Sequence, residues 1–436
     1  MTRQMKLIAY LKTGPTATMP GGWRHPKARL NDFLQPAFYE DLARALERGM
    51  FDGCFFADSF GIPDVHGGSF RTYVEKGGQI SYLDPMLVLP LMARATRHLG
   101  IGATLSTTFH PPYLLARMLA SLDLISNGRA CWNIVTSATD MEARNFGMDG
   151  IPPKELRYDQ ADEVVEACCA LWNSWDEDAL VLDQASGIFA DPDKVHYSDY
   201  RGTYVRSRGP LAMPRSPQGR PVFLQAGSSD RGREFAARWA EAVFASNAGK
   251  ANSIAFYQDL KARMERYGRS PDECRVLAST AVVVGETEAI AQEKAAELIA
   301  LADEELTVAT NSAMMGADLS KGVDDTSLGQ ARGNQGITGS TDRVLQVMRA
   351  ENISFAEAAR RPRGGMLVGT PAGIADQMQD LFEAGGCDGW ILWPTVSPWM
   401  YEEFATHVTP ELQQRGLLRT AYAGRTMRDN LLDLPR

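Results

Sequence analysis

Eight short apolar runs, separated by stretches of helical spacing, constrain this chain more than any other feature of it. The runs are Lys6–Leu11, Phe51–Ala57, Leu99–Thr108, Arg129–Thr136, Pro221–Ala226, Ala242–Ala245, Arg275–Val284 and Cys387–Trp393. A strand covered on both faces reads as a continuous apolar run, because neither side of it meets water. The spacing predicts helices over Phe33–Arg48, with Asp32 as N-cap, over Asp84–Arg97, with Pro85 in the first turn, and over Pro112–Ile125. It predicts others over Tyr158–Trp175, Arg231–Trp239, Ser253–Tyr267, Thr287–Ala302 and Thr370–Ala384. Eight strand–helix units over residues 1–436, interrupted by insertions at about 59–83, 176–220 and 303–368, are the count of an α/β, (β/α)8 TIM barrel. Arg201–Arg206 is expected as a short strand of the second insertion, and the Gly-rich third insertion is expected to act as a lid.

A doubly wound sheet is the competing architecture. It is marked by GxGxxG after the first strand. Here Leu11 is followed by Lys12–Thr13–Gly14–Pro15, and Pro15 stops an immediate helix. No GxxxxGK[ST] phosphate loop occurs either.

The formal net charge is −9, which does not suit a nucleic-acid binder. No run of eighteen apolar residues suggests a membrane span, and the first residues show no cleavage pattern of a secretory signal. The six cysteines lack metal-ligand spacing and read as reduced, so a cytoplasmic location is expected.

In a barrel the carboxyl ends of the strands carry the site. Those ends supply Asp58, Thr104 to Thr108, Asn133 with Thr136 and Ser137, Gly227–Ser228–Ser229 and Trp393–Pro394–Thr395. The set is rich in hydroxyls and amides and poor in histidine, and no metal is expected. It suits a heterocyclic ligand held by neutral hydrogen bonds. The segment Pro221–Ala240 runs from a strand through Gly227, Ser228 and Ser229 into a helix. Free N–H groups at such a helix start, with two hydroxyls, suit a phosphate. Ordinary serine capping is the plainer reading of the same residues. Arg231 either assists there or faces solvent. Asn133 is either a ligand-facing amide or a member of a satisfied structural network.

Several segments together carry a resemblance. They include Gly22–Pro26, the run ending at Asp58, Leu105–Tyr113, Trp132–Ser137, Ala143–Gly147, Arg157–Glu163, Gly187–Tyr197, Gly209–Ser229, Val368–Met378 and Glu411–Leu431. In this order they resemble the bacterial-luciferase-like flavin monooxygenases, in the branch of the nitrilotriacetate, EDTA and dibenzothiophene-sulfone monooxygenases. The resemblance implies reduced FMN as a diffusible cosubstrate, O2, a small organic substrate and a separate NAD(P)H:FMN reductase. It implies that Ser228 and Ser229 hold the flavin phosphate and that Tyr158 helps hold the flavin. Asp58, Asn133, Thr136 and Ser137 are implied to line it, and Thr104 and Asn133 match residues that in some relatives sit where oxygen meets the flavin. A homodimer or homotetramer is expected on the same ground. Alkane-oxidising members carry a histidine where this chain has Ala138, so a long-chain alkane is not expected as substrate. The alternative enzyme is an F420-dependent oxidoreductase of the same superfamily.

Overall fold

A computed structural model describes residues 3–16, 18–227, 229–246, 249–321, 344–345, 347–349, 351–354, 357–358 and 365–434. Eight of its strands form a closed parallel barrel: β1 (Lys6–Leu11), β2 (Gly53–Phe56), β3 (Gly100–Ser106), β4 (Ala130–Val135), β5 (Val222–Gln225), β6 (Ala242–Ser246), β7 (Arg275–Val284) and β8 (Gly389–Leu392). Neighbours in space are neighbours in this order, β8 returns to β1, and β6 pairs with β7 to close the ring. The TIM-barrel expectation therefore holds.

Alternation along each strand divides the core in two. Leu7, Ala9, Cys54, Phe56, Trp132 and Ile134 point outward into the layer shared with the helices. Ile8, Phe55, Cys131, Leu224, Leu277 and Ile391 point inward. Phe55 stacks on Phe244 across the barrel at 4.8 Å, and Tyr10 meets Phe55 edge-on at 5.7 Å. Below this layer the paired Gly53 and Gly100 leave room for Met427, which enters from the helix Met427–Leu432. A Cβ on Gly53 would lie 2.8 Å from Met427 Cε. The helix is held in place by Lys6, whose Nζ donates to Asn430 O at 2.8 Å, and by Arg275, whose Nε donates to Leu431 O at 3.1 Å.

Several boundaries differ from expectation for physical reasons. Asp32 does not cap a helix: its carboxylate is taken by Arg29, and the helix starts at Pro36 behind Gln35. The helix expected from Tyr158 starts one turn earlier, at Lys154 after Pro153, and ends at Trp172. Asp84 does cap, accepting from Met86 N at 2.8 Å, with the helix over Pro85–Ala95. The helix expected over Ser253–Tyr267 spans Lys250–Glu265. Arg201–Arg206 is a tight hairpin instead of a strand, pairing Tyr200–Arg201 with Arg206–Ser207. The strand Met366–Gly369 was not expected. It pairs with the outer half of the ten-residue β7, beyond the reach of β8. Much of the lid proposed for 303–368 lies outside the described residues. Its helix Glu304–Met315 packs Leu306 and Ala309 against Tyr73 and Ile80 of the first insertion. Among the described residues no helix is long and apolar enough to cross a membrane.

At the floor, Glu241 binds the tail to the barrel. It accepts from Phe223 N at 3.0 Å, Arg220 Nη1 at 2.6 Å and Arg428 Nε at 2.5 Å. Burial alone would raise this carboxyl, but Arg220 and Arg428 hold it down at about 2. A depressed carboxyl contributes stability above its ordinary value and loses it as pH falls through the folded one. Arg428→Met is therefore expected to move the acid-unfolding midpoint to higher pH, followed by circular dichroism. An unchanged midpoint would show that Arg428 does not hold Glu241.

Candidate active site

The carboxyl ends of β2, β3, β4 and β5 lie side by side on one arc of the mouth. Thr104 and Asn133 are register partners, so their side chains share the inward face. Asn133 Nδ2 donates to Thr104 Oγ1 at 2.8 Å. Asn133 Oδ1 is buried and has no partner among the described residues. A buried acceptor left unmatched costs about 1–3 kcal/mol, so it marks a place where a donor belongs. Ile134 points away into the outer core, and the strand ends at Val135, which places Thr136 already in the loop.

That loop is laced to its neighbours. Thr108 Oγ1 donates to Thr136 O at 2.8 Å, and Ser137, at φ 54°, donates to Ser106 Oγ at 3.0 Å. Thr136 takes part through its backbone carbonyl. Arg157, buried on the helix Lys154–Trp172, donates to the carbonyls of Thr136 and Ser137. Its Nε has no partner among the described residues. Burial, partly offset by Tyr158 and Glu142, lowers its pKa.

The β5 exit forms the second half of the site. Gly227 and Gly232 approach so closely that a Cβ on Gly232 would lie 3.0 Å from Gly227 Cα, 3.0 Å from Tyr158 Oη and 3.1 Å from Ser229 Oγ. Ser229 caps the helix Asp230–Trp239, accepting from Gly232 N at 3.2 Å. Gly227 N–H is taken by Gln225 Oε1 at 2.8 Å. Burial raises the Tyr158 phenol, against the influence of Ser229 and Arg157, which keeps it a proton donor. Ser228 lies outside the described residues. Arg231 neither faces solvent freely nor reaches into the cradle with its guanidinium. It bonds Asp159 at 3.1 Å and Asp162 at 2.7 Å and covers the Tyr158 ring at 5.3 Å.

Asp58, one strand from Thr104, joins a different group. Burial raises its carboxyl, while Ser81 and Lys12 work against the rise. Its Oδ1 accepts from Ser59 N at 2.9 Å. The structure thus joins Thr104 with Asn133, Ser137 with Ser106, and Tyr158 with Ser229 and Gly227. It sets Asp58 with Lys12 and Ser81. Arg157, Lys12 and Ser81 were missed in sequence. For Lys12 a signal existed, because it continues the inward parity of Ile8 and Tyr10. Among the described residues no group of three or more His, Cys, Asp or Glu is placed to hold a metal.

The luciferase-like monooxygenase model matches residues 16–389. The chain belongs to that family. Dibenzothiophene-sulfone monooxygenase of Rhodococcus erythropolis is 44% identical, over 98% of this chain and 96% of the relative. Nitrilotriacetate monooxygenase component A of Aminobacter aminovorans is 37% identical, over 94% and 93%. The crystal structure of DmoA from Hyphomicrobium sulfonivorans matches with a TM-score of 0.89 at 31% identity, covering 99% of this chain and 93% of that one. The chain is a monooxygenase. The F420-dependent tetrahydromethanopterin reductase of Methanopyrus kandleri matches at 16% identity and a TM-score of 0.56, a likeness of fold alone. The F420 alternative is not supported.

The glycine contact yields a stability prediction. Gly232→Ala is expected to cost about 1–3 kcal/mol by overpacking, measured by urea unfolding. Adding Tyr158→Phe removes one of the crowded atoms and should restore part of the loss. Strict additivity of the two changes would contradict the contact.

Proposed function

We propose that this monooxygenase is the oxygenating component of a two-component system. It takes reduced FMN from a separate NAD(P)H:FMN reductase and uses O2 to oxygenate a small organic molecule bearing nitrogen, sulfur or a ring. The observation that carries the reading is the unmatched Asn133 Oδ1 at the barrel mouth, an acceptor waiting for a ring N–H. The Gly227–Gly232 cradle supports it, since a Cβ there would fill the space beside Ser229 and Tyr158.

Ser229, the Tyr158 hydroxyl and the first N–H groups of the helix Asp230–Trp239 would hold the phosphate, where the helix dipole favours negative charge. Ser228 is proposed with them from the resemblance. Asp58, Thr136 and Ser137 remain the proposed lining. Reduced FMN supplies the electrons and the site of O2 activation when bound. The chain's part is to orient and to exclude water.

The hydrogen-bond direction assigns different tasks to the two central residues. One N–H of Asn133 Nδ2 goes to Thr104, and the unmatched Oδ1 is the acceptor the amide offers to the ring. Thr104, having accepted from Asn133, has its own hydrogen free to donate toward oxygen. The first insertion is tied to the start of the helix Glu304–Met315 by Lys76 with the cap residue Asp303 at 3.4 Å and by Thr72 with Glu305 at 3.0 Å. Homo-oligomerisation, as a dimer or tetramer, fits the apolar residues Leu182, Ile188 and Phe189 exposed on a hairpin outside the barrel. The relatives' names span a sulfone, nitrilotriacetate and an alkane, so no single substrate is carried over.

Asn133→Leu is expected to raise the dissociation constant for reduced FMN by about five- to tenfold, the worth of one hydrogen bond. Thr104→Val should leave that constant within about threefold, lower product per NADH and raise hydrogen peroxide release. Titration of reduced flavin under nitrogen, with product and peroxide measured in single turnovers, separates the two. Equal effects of both variants on flavin affinity would remove the division of roles.

The purified chain alone should not oxidise NADH. An unrelated flavin reductase with FMN should start O2 uptake. NADH oxidation without a reductase would overturn the two-component assignment.

A further inference from the structure

Lys12 follows the last residue of β1 and continues the inward row of Ile8 and Tyr10. Its side chain sits deep in the mouth, 9% exposed. Among the described residues Nζ has one hydrogen bond, to Ser81 Oγ at a long 3.4 Å. An ammonium has three donors, so two are unspent.

The carboxylates that act on it are engaged elsewhere. Asp58 accepts from Ser59 N at 2.9 Å and faces Ser81. Glu142 accepts from Phe60 N at 3.3 Å and from the Thr139 hydroxyl at 2.7 Å. Burial lowers the Lys12 ammonium, and Asp58 and Glu142 oppose that through space, with no ion pair to Lys12 among the described residues. A buried cation in this condition is costly unless an anion completes it.

Position in the ring says which anion. With the order β1 to β8 closed, β1 lies diametrically opposite β5. The cradle proposed for phosphate stands at the β5 exit, so Lys12 is placed for a different anionic group, on the far side of the mouth.

We propose that Lys12, steadied by Ser81, binds an anionic oxygen, a carboxylate or sulfinate, on the small organic substrate. The word substrate rests on the monooxygenase reading above; the anion site itself does not. Lys12 is then a specificity-determining residue. Two N–H groups of the ammonium point to the acidic oxygens, and the neutral wall of Thr104, Asn133 and Ser106 receives the rest of the molecule.

The test is calorimetric titration of the full chain with sodium benzoate and sodium benzenesulfinate, and with neutral methyl phenyl sulfone as control. Benzoate and benzenesulfinate are expected to bind at least about tenfold more tightly than the sulfone, as a charge-assisted hydrogen bond allows. Lys12→Met should abolish that preference and leave sulfone affinity within about twofold, whereas Lys12→Arg should retain it. If the Met variant does not fold, Lys12→Gln tests the same loss of charge. Equal binding of anions and sulfone by the wild type would overturn the proposal, as would an unchanged preference in the variant. A variant that weakens only reduced FMN would also overturn it, because the ammonium would then serve the cofactor. Reductase-coupled O2 uptake by the wild type reports separately on the monooxygenase reading, since anion binding is measured without FMN.

Discussion

A closed barrel of eight strands has to fill its own interior, and nearly everything else in this molecule follows from how that is done. The middle is filled by the Phe55–Phe244 stack with Tyr10 against it. The floor is filled by Met427, for which Gly53 and Gly100 give up their side chains. The carboxyl end is left open for the polar groups of the mouth. Thr104 and Asn133 are therefore one inward step above a packed apolar layer, where an unmatched amide oxygen is not cheaply hydrated. The dry floor gives the polar groups above it their leverage.

Charge is distributed against the overall balance. The chain has a formal net charge of −9, yet its mouth holds the buried cations Lys12 and Arg157. Arg157 Nη1 donates to the carbonyls of Thr136 and Ser137 and so fixes the β4 exit. Lys12 spends almost nothing. A whole-chain charge says little about a site that is lined by a few residues and screened from the rest.

Much of the barrel was legible because burial on both faces leaves a mark on every residue of a strand. The inward direction of Asn133 was legible for the same reason, since Ile134 had to face the helices. What escaped depended on which partners meet in space, most of them remote in sequence and one, Arg29 beside Asp32, close by. Met366–Gly369 becomes a strand because β7 runs past β8 and offers an unpaired edge. Asp32 looked like a cap, but Arg29 claims its carboxylate. The polarity of the Asn133–Thr104 bond depends on which atoms meet across 29 residues of chain. Ser81 reaches Lys12 across 69 residues of chain, from inside an irregular segment with no pattern of its own.

The Met427 plug also sets an order of events during synthesis. The lower barrel layer contains glycines placed to receive a side chain that the ribosome supplies only after β8, the last stave, has been made. Until residue 427 clears the exit tunnel, the nascent barrel has a hollow base and a buried Lys6 without the Asn430 carbonyl that receives it. The last stave therefore does not by itself complete the barrel, whose base is filled only once the tail helix is in place.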